Sequence, residues 1–168
     1  MPADLPALVA IYNHYIAHTA VTFDLTPLTP ADRQSWFDAH RTTGRHRLLV
    51  AVDDADRPLG YATTSAWRPK AAYDATVETS IYCDAAATGR GLGRALYGAL
   101  FDVIAHEDVH CVVAGMTLPN DASRRLHEAF GFVEVGVFHR VGRKFGQFWD
   151  VGWYERAVTP GVPVRPRG

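Results

Sequence analysis

Between Val77 and Tyr97 the chain reads VETSIYCDAAATGRGLGRALY: an apolar run with one carboxylate, a glycine-rich turn, and the start of a helical pattern. Gly89, Gly91 and Gly93 remove side chains where a backbone must curl closely round something. The amides they free lie at the positive end of the following helix, where a phosphate is favoured. Glu78 stands one strand upstream. In an extended run it shares a face with Ser80 and Tyr82, while Val77, Thr79, Ile81 and Cys83 take the opposite face. A carboxylate in a partly desolvated cleft has a raised pKa, which suits it to general-base work. The bland alternative is a solvated glutamate on a half-exposed strand. A carboxylate next to a phosphate cradle points to an enzyme that handles a nucleotide-bearing cofactor.

Two other kinds of glycine loop fail on their spacing. A nucleoside-triphosphate loop requires Gly-Lys-Ser or Gly-Lys-Thr, whereas Gly93 is followed by Arg94 and Ala95. A dinucleotide fingerprint beginning at Gly89 requires glycine where Arg94 stands. A second cluster with chemical potential is LPNDASRRLHEAFGF, in which Asn120 can cap a helix and His127 lies one turn past Ser123. Imidazole there can give or take a proton near neutral pH, although a lone helix histidine more often faces solvent. Arg68 and Lys70 precede Tyr73 in the loop before Glu78; two cations there could grip an acidic group, with Tyr73 and Phe23 as walls. Arg143 and Lys144, in the segment Gly142 to Gly146, read as structural or interfacial residues of a hairpin turn.

The elements that must position these residues follow from periodicity. Asp4 is placed to cap a first helix with an apolar stripe of Leu5, Leu8, Ile11, Tyr12, Tyr15 and Ile16. A second helix starts at Thr29-Pro30, turns Trp36 and Phe37 inward and is expected to end near Gly44. HRLLVAVDD and LGYATTSAW read as strands joined by a turn, followed by the Glu78 strand. The helix over Gly91–Ala105 carries Leu92, Leu96, Leu100, Phe101 and Ile104 at core spacing. HCVVAGM is a buried strand, Gly131 closes the Asn120 helix, and FVEVGVFHRV with GQFWDVGWYER forms a hairpin across Gly142 to Gly146. The expected fold is α+β, a mixed sheet with helices on both faces, in one domain over 1–158 with a Pro/Gly-rich tail over 159–168.

Bulk properties narrow the function class. A formal charge of −1 gives no global basic field for nucleic acid or an anionic membrane. No run approaches membrane-spanning length and no leader is evident, so a cytoplasmic protein is expected. Cys83 and Cys111 sit in apolar runs, where a buried reduced thiol is the default. His14 and His18 could share a helix face, but no third ligand is evident nearby, so no metal is expected.

The strand, the loop, Gly91-Leu92-Gly93 and a long helix resemble the acetyl-coenzyme A loop of the GNAT superfamily of N-acetyltransferases, and LPNDASRRLHEAFGF resembles its second signature. More narrowly, IYNHYI, AWRPKAAYDATVETSIY, GLGRALY, LPNDASRRLHEAFGF and GRKFGQFWDVGWY resemble the phosphinothricin and methionine sulfoximine N-acetyltransferases. The resemblance implies a mostly antiparallel GNAT sheet, acetyl-CoA as cosubstrate, and a homodimer. It implies Glu78 as base and His127 as the acid that protonates the departing thiolate. It also implies coenzyme contacts from Ile81, Tyr82, Cys83, Thr88, Gly89, Arg90, Gly91, Leu92, Gly93, Arg94, Asn120 and Ser123, with a backbone amide near Ile81 to Cys83 polarising the carbonyl where the sheet splays. Phe23, Arg68, Lys70 and Tyr73 become the acceptor site. The superfamily usually places Gln or Arg three residues before Gly91; here Thr88 stands there, and Arg90 or Arg94 is expected to supply the charge. The leading reading is N-acetylation of a small amino acid or analogue. The alternatives are a protein N-terminal or lysine acetyltransferase, and a silent coenzyme A binding module.

Overall fold

Alternation along the strands decides how the layers assemble, because successive side chains point to opposite faces. Leu48, Val50 and Tyr61 pack with Leu8 and Ile11, whereas their neighbours Leu49, Ala51 and Ala62 join a larger core with Leu96, Leu100 and Ile104. The sheet is therefore covered on both sides. The structure is a computed structural model that describes residues 2–158; the tail over 159–168 lies outside the described residues.

Four helices and six strands build it: α1 (Leu5–His18), α2 (Pro30–Asp38), β1 (Leu48–Val52), β2 (Pro58–Ala66), β3 (Thr76–Cys83), α3 (Leu92–Ile104), β4 (Cys111–Leu118), α4 (Asp121–Ala129), β5 (Val133–Lys144) and β6 (Gln147–Ala157). The strand order is β1-β2-β3-β4-β6-β5, antiparallel throughout except for the β3–β4 pair. This is the expected α+β architecture. Buried Leu96, Tyr97, Leu100, Phe101 and Ile104 make the inward stripe of α3, and Leu5, Leu8, Ile11, Tyr12 and Ile16 that of α1. Asn120 caps α4 by accepting the Ser123 amide at 3.1 Å, and Gly131 leaves the helix at φ +81°.

Three expectations need correction. Asp4 gives no side-chain cap to α1, because residues 2–4 already turn as a short 3-10 helix. Helix α2 ends at Asp38, well before Gly44: the His40 ring folds back and Nδ1 donates to the Trp36 carbonyl at 2.8 Å. The hairpin turn is narrower than Gly142 to Gly146, since β5 runs on through Gly142 to Lys144 and only Phe145 and Gly146, both at positive φ, make the reversal. Gly142 serves a different need. A Cβ built there would collide with the Phe23 ring, so the missing side chain makes room for that phenyl group.

Candidate active site

Strand β3 pairs with β4 over three positions only, Thr76 with Cys111, Val77 with Val112 and Glu78 with Val113. Beyond Glu78 the two strands part, although β3 stays paired to β2 as far as Cys83 and β4 to β6 as far as Leu118. The gap is the splay that the family resemblance implied. It opens a cavity of about 270 Å³ lined by Thr79 to Cys83 on one side and Gly115 and Met116 on the other. Backbone groups on the freed edge of β3 are left facing this cavity and not a neighbouring strand.

One end of the gap meets the glycine corner. Gly89 and Gly91 both sit at φ +77°, a left-handed conformation that non-glycine residues enter at a cost, and a Cβ at either would face open space. Gly91 is the N-cap of α3, so the free amides of the first turn are presented beside the cavity mouth. Arg90 and Arg94 flank this corner, both exposed, and Thr88 lines the cavity with its hydroxyl committed to the Ala85 carbonyl at 3.0 Å. Positive dipole, two guanidinium groups and open space fit a diphosphate. Gly93 is different: its neighbour at 3.1 Å from a built Cβ is Leu126, so it lets α4 pack on α3.

Asn120, Ser123 and His127 lie along α4 on the cavity wall, with Tyr97 of α3. His127 is buried at 4% exposure. Its Nδ1 donates to the Ser123 carbonyl at 2.8 Å, which leaves Nε2 to accept the Tyr97 hydroxyl at 2.9 Å. Burial holds its pKa below the usual histidine value, against an opposing push from the Ser123 hydrogen bond. At neutral pH the ring is neutral and fixed in one tautomer. Across the gap, the Tyr15 hydroxyl donates to the Cys83 carbonyl at 2.6 Å and ties α1 to the end of β3.

Glu78 faces a second cavity, of about 310 Å³, shared with Val21, Phe23, Gly115, Phe138, Val141 and Trp153. Val21 and Gly115 line both cavities, so the two spaces meet there. Burial raises the Glu78 pKa, and the Arg68 guanidinium only partly offsets it. Among the described residues the carboxylate accepts no hydrogen bond, so nothing else holds it ionised. Arg68 lines an adjoining apolar space with Trp67, Phe138 and Trp153 and lies 5.1 Å over the Trp67 ring. No group of three or more metal-ligating side chains occurs among the described residues.

Comparison with known proteins places the chain that carries this arrangement. Residues 9–132 match the model of the acetyltransferase (GNAT) family. The chain belongs to the GNAT acetyltransferase family. It is 51% identical over 156 residues to a phosphinothricin N-acetyltransferase of Streptomyces coelicolor, covering 92% of this chain and 91% of the relative. It is 39% identical over 158 residues to an L-methionine sulfoximine/L-methionine sulfone acetyltransferase of Pseudomonas paraeruginosa, covering 94% and 91%. The crystal structure of a GNAT superfamily phosphinothricin acetyltransferase from Sinorhizobium meliloti, in complex with acetyl-CoA, superposes with a TM-score of 0.90 at 29% identity, covering 99% and 90%. This GNAT chain is an acetyl-CoA-dependent acetyltransferase.

Of the residues expected at the GNAT site, Gly89, Arg90, Gly91 and Arg94 form the corner at the start of α3, Leu92 packs against the core, and Arg68 lines the adjoining space. Glu78, Ile81, Tyr82, Cys83, Thr88, Gly93, Asn120, Ser123 and His127 converge on the two cavities, with Phe23 in the second. Lys70 and Tyr73 stay exposed and line neither cavity; Tyr73 packs perpendicular to Trp67, 5.0 Å between centroids. The sequence reading missed Tyr97, Val21, Gly115 and Trp153. Lys144, expected to be structural or interfacial, is structural. That side chain is only 4% exposed, and its Nζ donates to the Thr22 carbonyl at 2.8 Å. The segment between α1 and α2, which carries Val21 and Phe23, is thus fastened to the end of β5. Replacing Lys144 by Met keeps the stem and leaves that carbonyl unpaired. The expected loss is about 1–3 kcal/mol in urea unfolding, with a raised acceptor KM as Phe23 loosens.

Proposed function

We propose that this GNAT enzyme transfers the acetyl group of acetyl-CoA to the amino group of a small amino acid or analogue of the phosphinothricin, methionine sulfoximine or methionine sulfone type. The observation that carries the reading is the position of Glu78. Its carboxylate of raised pKa lies where the second cavity meets the splay between β3 and β4. The names of the relatives support the substrate class.

An aliphatic ammonium titrates near ~10, so almost none of it is nucleophilic at neutral pH without a base. Glu78 takes the proton as the amine nitrogen bonds to the thioester carbonyl carbon. Backbone amides of Ile81 to Cys83 stabilise charge on the carbonyl oxygen. The carbon–sulfur bond then breaks and the thiolate takes a proton on the His127 side. Because His127 is neutral at rest and paired with Tyr97, it is the protonated minority of rings that donates. The corner from Thr88 to Arg94 holds the diphosphate, with Arg90 and Arg94 supplying charge that Thr88 does not. Arg68 receives an acidic or polar group of the acceptor, with Lys70 and Tyr73 nearby.

Six exposed apolar side chains on β5, β6 and their turn (Val133, Val135, Phe138, Val141, Phe145 and Phe148) support a homodimer formed through this edge. Free Cys83 and Cys111 support a reducing compartment, which agrees with a cytoplasmic enzyme. No helix among the described residues is long and apolar enough to cross a membrane.

The test is thiol release from acetyl-CoA with phosphinothricin, methionine sulfoximine, methionine sulfone, plain amino acids, aminoglycosides and short peptides. Turnover is expected with the amino-acid analogues. Turnover of peptides alone, or coenzyme binding without turnover of any amine, overturns the reading.

A further inference from the structure

The face of the sheet that carries Glu78 holds a smaller polar chamber. It measures about 80 Å³, roofed by Arg33 and Trp36 and floored by Tyr61, Thr63, Ser65 and Ser80. The register places it. Tyr61 pairs with Tyr82, Thr63 with Ser80 and Ser65 with Glu78, so the floor descends β2 and β3 directly toward the catalytic carboxylate. Same-face neighbours along a strand are roughly 7 Å apart, which makes Ser80 and Glu78 adjacent rows. Ser80 and Tyr82 also line the splay cavity.

The chemistry of the walls is one-sided. The Arg33 guanidinium lies 3.8 Å from the Trp36 ring centroid and 4.6 Å from that of Tyr12, so its flat faces are covered. Its edge is not. Nε is buried without a hydrogen-bond partner, and no carboxylate pairs with the guanidinium among the described residues. The Tyr61 hydroxyl, on a residue 1% exposed, is likewise buried and unpartnered. Asp24, the acid on the segment between α1 and α2, accepts from the Tyr12 hydroxyl at 2.7 Å. The edge of the guanidinium and the Tyr61 hydroxyl therefore face a space with hydroxyls and no anion. Such groups call for an acceptor that carries charge. The volume suits a carboxylate group and excludes a whole amino acid.

We infer that this chamber seats the α-carboxylate of the acceptor, with Arg33 as its principal donor. The inference rests on the reading of the chain as an amino-acid N-acetyltransferase. In an α-amino acid one carbon carries both the amine and the carboxylate. An amine at the Glu78 row therefore sends its carboxylate one row along, toward Ser80 and Arg33, and its distal polar group toward Arg68.

The experiment compares kcat/KM for methionine sulfone with that for its neutral carboxamide, in the wild type, Arg33→Met, Arg33→Lys, Tyr61→Phe and Arg68→Met. The wild type is expected to favour the free acid. Arg33→Met should shrink that preference by roughly tenfold to a hundredfold through the KM of the acid. Arg33→Lys and Tyr61→Phe should shrink it less, and Arg68→Met should lower acid and amide together. Arg33→Lys keeps the charge and decides the matter if Arg33→Met does not fold, as judged by acetyl-CoA calorimetry. An undiminished preference in the folded Arg33 variants, or its loss on Arg68→Met instead, overturns the chamber. Equal turnover of acid and amide by the wild type also overturns it and leaves amine acetylation standing. Failure of every amino acid and amide to release thiol removes the broader reading itself.

Discussion

Glu78→Gln is expected to lower kcat by roughly a hundredfold to ten-thousandfold, the range for loss of a positioned base. The substitution keeps size and shape, so the sheet and both cavities should persist. Its diagnostic value lies in the pH profile. Burial raises the Glu78 pKa, so the carboxyl group protonates on acidification earlier than a solvated glutamate does. The base is then lost as pH falls through that raised value. In the wild type kcat/KM for the acceptor should drop on the acidic side; in the variant this limb should vanish, leaving only the titration of the amine at high pH. A Gln variant that keeps the acidic limb would remove Glu78 from the role.

Gly115→Val should be nearly as damaging by a different route. Gly115 lines both cavities at their junction, and a Cβ there would already stand 3.3 Å from the Trp153 indole. A branched side chain has nowhere to go except into the passage where acetyl group and amine must meet. Misplacement by about 1 Å costs on the order of a hundredfold in rate. The expected result is a fall of that size or more in kcat/KM for the acceptor. Calorimetry with coenzyme A should show near-normal affinity, because the glycine corner at α3 is untouched. A variant that keeps full turnover would place the acetyl group elsewhere.

Local chemistry was easy to read and distant chemistry was not. The α3 stripe, the corner at Gly89 and Gly91 and the face of Glu78 follow from residue types within a few positions of one another. The splay does not: β3 and β4 look like ordinary strands, and their parting depends on partners that no local pattern names. His127 was visible as an imidazole, but its partner Tyr97 sits 30 positions away on another helix, so its tautomer was hidden. Lys144 is legible as structural, but its partner is not, because the carbonyl that it holds is 122 positions earlier in the chain. Gly142 misled because glycine signals a turn more often than a phenyl ring pressed against backbone.

The short β3–β4 contact has a mechanical side. Three residue pairs join two antiparallel ladders, β1-β2-β3 and β4-β6-β5. The sheet is in effect two plates meeting along a brief seam, with the donor channel running out from the end of that seam. Whatever fills the channel touches both plates and stiffens their mutual angle. A ligand bound there would therefore link its own occupancy thermodynamically to the cohesion of the two halves.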